Sequence, residues 1–196
     1  GEILRTLQEL HLDEKTLVIL GSHSGTTRET LEAARFLKSK PCLTLAVTQE
    51  KSSPLAGEAQ NVLAYGATLQ GYFSSYIVLQ AFFSAFLEKR EKGWHLHPAV
   101  MVSLPNLPSA LADAKECYLE KAALQAQEIS DAGHLLVLGA GPMFTTAYVF
   151  AACFLMEMQW MHAHAINAAD FFHGPFEVVD NSTQTLILIG EDESRA

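Results

Sequence analysis

The chain has 196 residues, of which 49% are hydrophobic and 18% are charged. This composition excludes a disordered protein, because it can bury a substantial core. The formal net charge of −9 argues against nucleic acid or an anionic membrane surface as a partner, since no basic stripe can neutralise phosphates. No apolar run in the sequence reaches membrane-spanning length.

The cysteines are odd in number and far apart, at Cys42, Cys117 and Cys153. Each lies within an apolar or helical pattern, which favours buried, reduced thiols over a disulfide framework or a zinc site. Reduced thiols are typical of the cytoplasm. We therefore expect a cytoplasmic protein.

The first predicted strand runs directly into a loop rich in hydroxyl groups. The apolar run 17–20 predicts a buried strand, and a helix is predicted over 27–38. Gly21 and Gly25 permit a tight turn and close approach of a ligand. The loop hydroxyls belong to Ser22, Ser24, Thr26 and Thr27. Hydroxyls at a helix N-terminus favour a phosphate group, although a serine-rich cap of an ordinary turn is the alternative.

The loop lacks the spacings of the common nucleotide-binding motifs. There is no G-x-x-x-x-G-K-[ST] and no G-x-G-x-x-G, so we expect a small phosphorylated metabolite. Further strands are predicted over 42–47 and Asn61–Ala64, with a short helix over 54–56 between them and a long apolar helix over 69–92. The strands should pair in parallel.

The pattern begins again after a proline-bearing connection over 97–108. A helix is predicted over 109–130, a strand over 134–138, a glycine loop and helix over 139–158, and a last strand over 186–189. The second glycine loop has fewer hydroxyls, so we assign it a structural role. The sequence predicts an α/β protein of two lobes, 1–108 and 109–196, each a parallel sheet flanked by helices.

Two residues that can exchange protons stand out in the second half. Glu157 lies in a strongly apolar context, where an unpaired carboxylate would cost several kcal/mol to bury and would have a raised pKa. His173 follows two phenylalanines and precedes Gly174-Pro175, a turn that could aim the imidazole. The pair suits acid/base catalysis. Equally, Glu157 could pair at a helix end, with His173 a hydrogen-bonded core histidine.

The H-x-H of His162 and His164 does not predict a metal site. No cysteine or carboxylate stands at a matching spacing, and H-E-x-x-H is absent. We interpret both histidines as structural or substrate-orienting and expect no metal.

At this point the motifs carry a resemblance to a known family. The loop S-H-S-G-T-T over 22–27 resembles the S-x-S-G-x-T loop of sugar isomerase (SIS) domains. Glu157 with the later H-G-P at His173 is similar to the second SIS domain of glucosamine-6-phosphate synthase. M-E-M-Q-W over 156–160 and F-F-H-G-P-F-E over 171–177 look most like fructosamine deglycases. The resemblance implies two SIS lobes of flavodoxin-like three-layer architecture, and a homodimer.

The resemblance also implies roles for the loop. Ser22, Ser24 and Thr27 would hold the 6-phosphate of a sugar-amine substrate such as fructoselysine 6-phosphate, helped by the backbone N–H groups of His23 and Gly25. No metal or redox cofactor is expected.

Catalysis would fall to Glu157 and His173, which the resemblance implies transfer the protons. The synthase has a Glu and a Lys seven and three positions before the residue that matches Glu157, whereas this chain has Phe150 and Phe154. Isomerisation by that Glu and Lys is therefore not expected. An isomerase or deaminase with other acid/base groups, and a phosphosugar sensor without catalysis, remain alternatives.

Relative to the family, the chain is expected to be clipped at both ends. A first strand and its hydroxyl-bearing loop would precede residue 1, and further residues would follow 196.

Overall fold

The protein is described from a computed structural model, which places residues 2–130 and 133–190. It divides into two units, Gly1–Ala110 and Leu111–Ala196, with the division inside one helix. Each unit has a parallel sheet of three strands. The predicted α/β class, with two parallel sheets flanked by helices, is confirmed.

In the first unit a strand order of β1-β2-β3 places β2 at the centre of the sheet. The elements are α1 (Glu2–Glu9), β1 (Leu17–Gly21), α2 (Arg28–Leu37), β2 (Leu43–Thr48), β3 (Asn61–Ala64), α3 (Gly71–Arg90) and α4 (His97–Ser103). Every β2 residue after Leu43 is buried, as expected for a strand covered on both faces. Leu37 of α2 and Leu55, which follows β2, are fully buried in the adjoining core.

One local prediction in this unit is wrong. Residues 54–56 form a turn and do not start a helix, because the Ser53 hydroxyl accepts the N–H of Ala56 and offers the backbone an alternative to a helix. The connecting segment 97–108 is itself largely helical, with Pro98 in the first turn of α4 and Pro105 in a 3₁₀ turn. Proline is well tolerated in a first turn.

In the second unit the order β5-β4-β6 places β4 at the centre. Its elements are α5 (Leu107–Ser130, shared with the first unit), β4 (Leu135–Gly139), α6 (Pro142–Tyr148), a π-helical segment (Val149–Met158), β5 (Ala163–Asn167), two 3₁₀ turns (Phe171–His173 and Pro175–Val178) and β6 (Gln184–Leu188). All five residues of β4 are buried. Strand β5 is not predicted from the sequence, because its residues A-H-A-I-N carry only one large apolar side chain.

The cysteines are free thiols, but they are not all buried. Cys42 is buried, Cys153 is half-buried and Cys117 on α5 is exposed, so the expectation of burial is wrong for Cys117. None of the described helices combines the length and the apolar character that a membrane span requires.

We expect Leu37→Ala to lower the free energy of unfolding by about 2–5 kcal/mol, because it leaves a cavity in a core that has little room to collapse. The matched control is Leu69→Ala, since Leu69 is fully exposed and its loss should change stability by less than about 0.5 kcal/mol. Urea unfolding of both variants measures the difference. Equal effects would show that Leu37 is not a core residue.

Glu58 links the segment after β2 to α2 through ion pairs. Its carboxylate pairs with Arg35 and Lys38, and hydrogen bonds from Lys38 and then Arg35 lower its pKa below the ordinary 4.5. A lowered pKa stabilises the fold at pH values above 4.5, and this contribution is lost as the pH falls through the folded-state pKa. Glu58→Gln should therefore reduce the melting temperature slightly at pH 7 and not at pH 3. A deficit that persists at pH 3 would contradict this.

Candidate functional site

The hydroxyl-rich loop lies where β1 and β2 end, and backbone hydrogen bonds fix it there. The N–H of Ser22 donates to Val47 O (3.1 Å), and the N–H of Gln49 donates to His23 O (3.0 Å). The carboxyl ends of parallel strands meet at one edge of a sheet, which is where ligands bind in this class of fold. The loop therefore occupies the ligand-binding edge of the first sheet.

Within the loop the hydroxyl groups bond to one another in pairs. Ser22 Oγ lies 2.9 Å from Thr27 Oγ1, and Ser24 Oγ lies 2.6 Å from Thr26 Oγ1. The N–H of Gly25 donates to the Ser22 side chain, so it is engaged inside the loop, whereas no described residue accepts the N–H of His23. A pair of hydroxyls can reorient its protons toward an anion without a change of backbone.

Helix α2 begins directly after these hydroxyls. Thr27 is the N-cap residue, yet no side chain among the described residues caps the helix. The first N–H groups of α2 therefore remain for a ligand, and the helix dipole favours a negative one. Arg28 is turned away, because its guanidinium pairs with Glu32 at 2.9 Å, which raises the pKa of Arg28. The anion-binding capacity of the loop comes from neutral donors.

Gly25 holds the loop against the turn that follows β2. Its φ is +68°, and a Cβ built there would lie 2.6 Å from both Cβ and Oγ of Ser53. Ser53 is buried, and its Oγ lies 3.2 Å from Thr48 Oγ1. Glycine is thus required both for the conformation and for the close approach.

Three residues that the sequence did not single out belong to this arrangement. Thr48 ends β2, Ser53 lies in the following turn, and Tyr65 comes directly after β3, with its hydroxyl 2.8 Å from Nδ1 of His23. The only available signal was position, because each follows or ends a predicted strand whose carboxyl end faces the same edge.

In the second unit Glu157 lies near the end of the π-helical segment. Its side chain is exposed on the single chain, so the expected burial is wrong. The neighbouring apolar side chains Met156, Met158 and Trp160 are exposed too, and they do not enclose the carboxylate. Phe150 and Phe154 pack on each other in the same segment, with ring centroids 6.4 Å apart.

His173 ends a 3₁₀ turn and is exposed. The following Gly174 has a φ of +142°, which only glycine adopts readily, and Phe171, Phe172 and Phe176 form a cluster beside it. In the stretch 133–190, no hydrogen bond or ion pair joins His173 to Glu157. The fold places both on exposed segments of the same unit without direct contact.

The remaining candidates have structural partners. His164 Nδ1 lies 3.3 Å from Nε2 of His134, and no group of three or more metal-ligating side chains occurs among the placed residues. In the second glycine loop, a Cβ on Gly139 would lie about 2.4 Å from the backbone of Met143. This glycine serves the packing of α6 on β4.

The fold and the loop together define an α/β protein with a hydroxyl-rich loop at the carboxyl edge of a parallel sheet. Residues 2–88 match the SIS domain family.

Similar proteins extend the likeness beyond that domain. The chain is 38% identical over 188 residues to fructosamine deglycase FrlB of Bacillus subtilis, covering 95% of the chain and 57% of that protein. It is 28% identical to fructoselysine 6-phosphate deglycase of Escherichia coli, covering 94% and 54%. A crystal structure from Bacillus subtilis described as a phosphosugar isomerase superposes with a TM-score of 0.87 at 35% identity, covering 99% and 60%. The chain thus spans little more than half the length of these proteins.

The contact between Gly25 and Ser53 can be tested by adding one methyl group. Gly25→Ala should destabilise the protein by about 1–3 kcal/mol and abolish phosphate-ester binding, because the methyl group displaces the loop. Gly93→Ala is the matched control, since Gly93 lies outside the loop and a Cβ there meets nothing within 4 Å. Thermal unfolding and calorimetric titration with glucose 6-phosphate give the two readouts. Wild-type binding by Gly25→Ala would contradict the role of the loop.

Proposed function

We propose that this protein is a deglycase that cleaves a 6-phosphofructosyl amine, such as fructoselysine 6-phosphate, to glucose 6-phosphate and a free amine. The observation that carries the proposal is the presence of two hydroxyl pairs at the N-terminus of α2, which no described side chain caps. It occurs in a chain that is 38% identical to a fructosamine deglycase.

In this proposal the loop anchors the phosphate. Ser22, Ser24 and Thr27 donate hydroxyl protons to the phosphate oxygens, and the N–H of His23 and the first N–H groups of α2 add backbone donors. The N–H of Gly25 can donate to the phosphate only if its hydrogen bond to the Ser22 side chain breaks. Anchoring one end of the substrate fixes the reacting carbons, which can supply a large share of the rate enhancement.

The chemistry reverses an Amadori rearrangement and needs only proton transfers and water. A base removes a proton from C1 while an acid protonates the C2 carbonyl oxygen, which gives an enaminol. Return of a proton to C2 and loss of the proton on nitrogen yield the C1 imine of the aldose, which keeps the new C2 hydroxyl. Water adds to that imine, and cleavage of the C1–N bond with protonation of nitrogen releases the amine. We assign the carbon-bound proton to His173 and the heteroatom protons to Glu157.

The placement of these two residues supports the assignment in one respect. Both are exposed, and neither has a hydrogen-bonded or ionic partner among the placed residues that would occupy it. The active form in this proposal is a homodimer in the cytoplasm, and the protein uses no cofactor.

An isomerase or deaminase remains a competing function, and so does a phosphosugar sensor. The Phe150–Phe154 contact fills the positions where the synthase carries its Glu and Lys, which favours the deglycase over an isomerase of that type. A coupled assay with glucose-6-phosphate dehydrogenase on fructoselysine 6-phosphate, and ammonia release from glucosamine 6-phosphate, separate the three functions.

Glu157→Gln and His173→Gln should each lower kcat by a factor of about 10²–10⁴ with little change in affinity for glucose 6-phosphate, since neither residue belongs to the loop. The matched controls are Glu120→Gln and His95→Gln, which alter exposed residues of the same types elsewhere. Substantial turnover in Glu157→Gln would rule out this assignment of the acid. Wild-type protein that releases no glucose 6-phosphate from fructoselysine 6-phosphate would rule out the deglycase itself.

A further inference from the structure

The side chain of His23, inside the loop, is held in place from two sides. Its Nδ1 lies 2.8 Å from the Tyr65 hydroxyl, and the two rings lie nearly parallel, with centroids 5.9 Å apart and an interplanar angle of 23°. Gly71, the first residue of α3, also lies close to the ring, because a Cβ there would be 2.6 Å from the same Nδ1. A residue with a side chain at position 71 would therefore push the imidazole away from Tyr65.

The backbone of His23 is held as well. Its carbonyl accepts the N–H of Gln49 at 3.0 Å and the hydroxyl of Thr48 at 3.2 Å. Both the main chain and the ring are thus positioned before a ligand arrives, which reduces the ordering cost of binding. An exposed loop histidine with no role would not need such support.

The contact with Tyr65 determines which ring nitrogen carries the proton. A phenol is a better donor than a neutral imidazole N–H, so the Tyr65 O–H donates to Nδ1 and the proton of the neutral ring resides on Nε2. Burial raises the pKa of the Tyr65 phenol, which keeps the hydroxyl protonated. Nε2 lies on the ring edge opposite Tyr65, the ring is exposed, and no described residue bonds to Nε2.

We propose that Nε2–H of His23 donates a hydrogen bond to the phosphate ester held by the loop, and that Tyr65 is the positioning residue that fixes this tautomer. The inference rests on the proposed function, because it assumes that the ligand of the loop is a phosphorylated sugar. It adds a side-chain donor, and one that can become positively charged, to a loop of neutral donors.

The described groups placed against the imidazole are the phenol of Tyr65 and the backbone of Gly71, and both are uncharged. Thr48 and Gln49 contact the carbonyl of His23 and not its ring. No charged group among these neighbours therefore competes with a phosphate oxygen for Nε2–H.

The first arm of the test is calorimetric titration with glucose 6-phosphate at pH 7.5. Tyr65→Phe, which keeps the stacked ring and removes the hydroxyl, should weaken binding by about 3–10-fold, and Gly71→Ala should weaken it by displacing the imidazole. The matched control is Tyr118→Phe, because Tyr118 is an exposed tyrosine on α5, and this variant should bind like the wild type. Circular dichroism melts of all variants identify any that fail to fold.

The second arm compares two replacements of His23 in the same titration. His23→Ala, which removes the side-chain donor, should weaken binding by about 3–10-fold, and His23→Gln, which keeps a side-chain N–H donor, should recover part of that loss. A purely structural role of His23 would give no such recovery.

The outcomes separate this inference from the proposed function. If Ser22→Ala weakens binding while His23→Ala and Tyr65→Phe match the wild type, the phosphate loop stands and the role of His23 is overturned. If wild-type protein does not bind glucose 6-phosphate, the proposed function fails and the inference fails with it.

Discussion

The hydroxyl loop depends on the close approach of Gly25 to Ser53. At this contact the backbone that follows β1 lies against the turn that follows β2, and any side chain at position 25 would occupy the space of Ser53. Leu55, in the same turn, is buried in the core, and its N–H donates a hydrogen bond to Gly25 O at 3.1 Å. One contact therefore links the conformation of the loop to burial of the core, so the loop is as ordered as the core beneath it.

The parallel order of the first sheet explains why this site is assembled from three separate parts of the sequence. Ser22 follows β1, Thr48 ends β2 and Tyr65 follows β3, and parallel pairing brings all three carboxyl ends to one edge. In the proposed function the segment after β1 supplies the groups that contact the phosphate, and the segments after β2 and β3 hold that segment in place. The proposed ligand contacts thus belong to a local motif, and the contacts that fix its geometry come from the rest of the sheet.

The sequence predicts what depends on local pattern. The segment from β1 through the loop to α2 is predicted correctly, because an apolar run, glycines and hydroxyls each act over a few residues. The contact of His23 with Tyr65 spans 42 positions and has no local signal. Strand β5 is missed because its alternation of small residues and histidine lacks the large apolar side chains by which a strand is predicted. Burial of Glu157 is predicted wrongly because apolar neighbours in sequence indicate burial only when the fold covers them.

The hydroxyl-rich loop and the two proposed proton-transfer residues differ in how many described contacts hold their side chains in place. Around the loop, hydroxyl pairs, backbone bonds and two crowded glycines fix positions without any ligand. Among the placed residues, the aromatic cluster and the positive-φ Gly174 lie beside His173, and neither the Glu157 nor the His173 side chain is hydrogen-bonded. Preorganised donors bind well without ligand-induced ordering, whereas proton transfer needs groups placed within hydrogen-bond reach of the reacting atoms. In the proposed function, phosphate binding would therefore depend on contacts within the first unit, and turnover would require in addition that the two exposed side chains become ordered around the substrate.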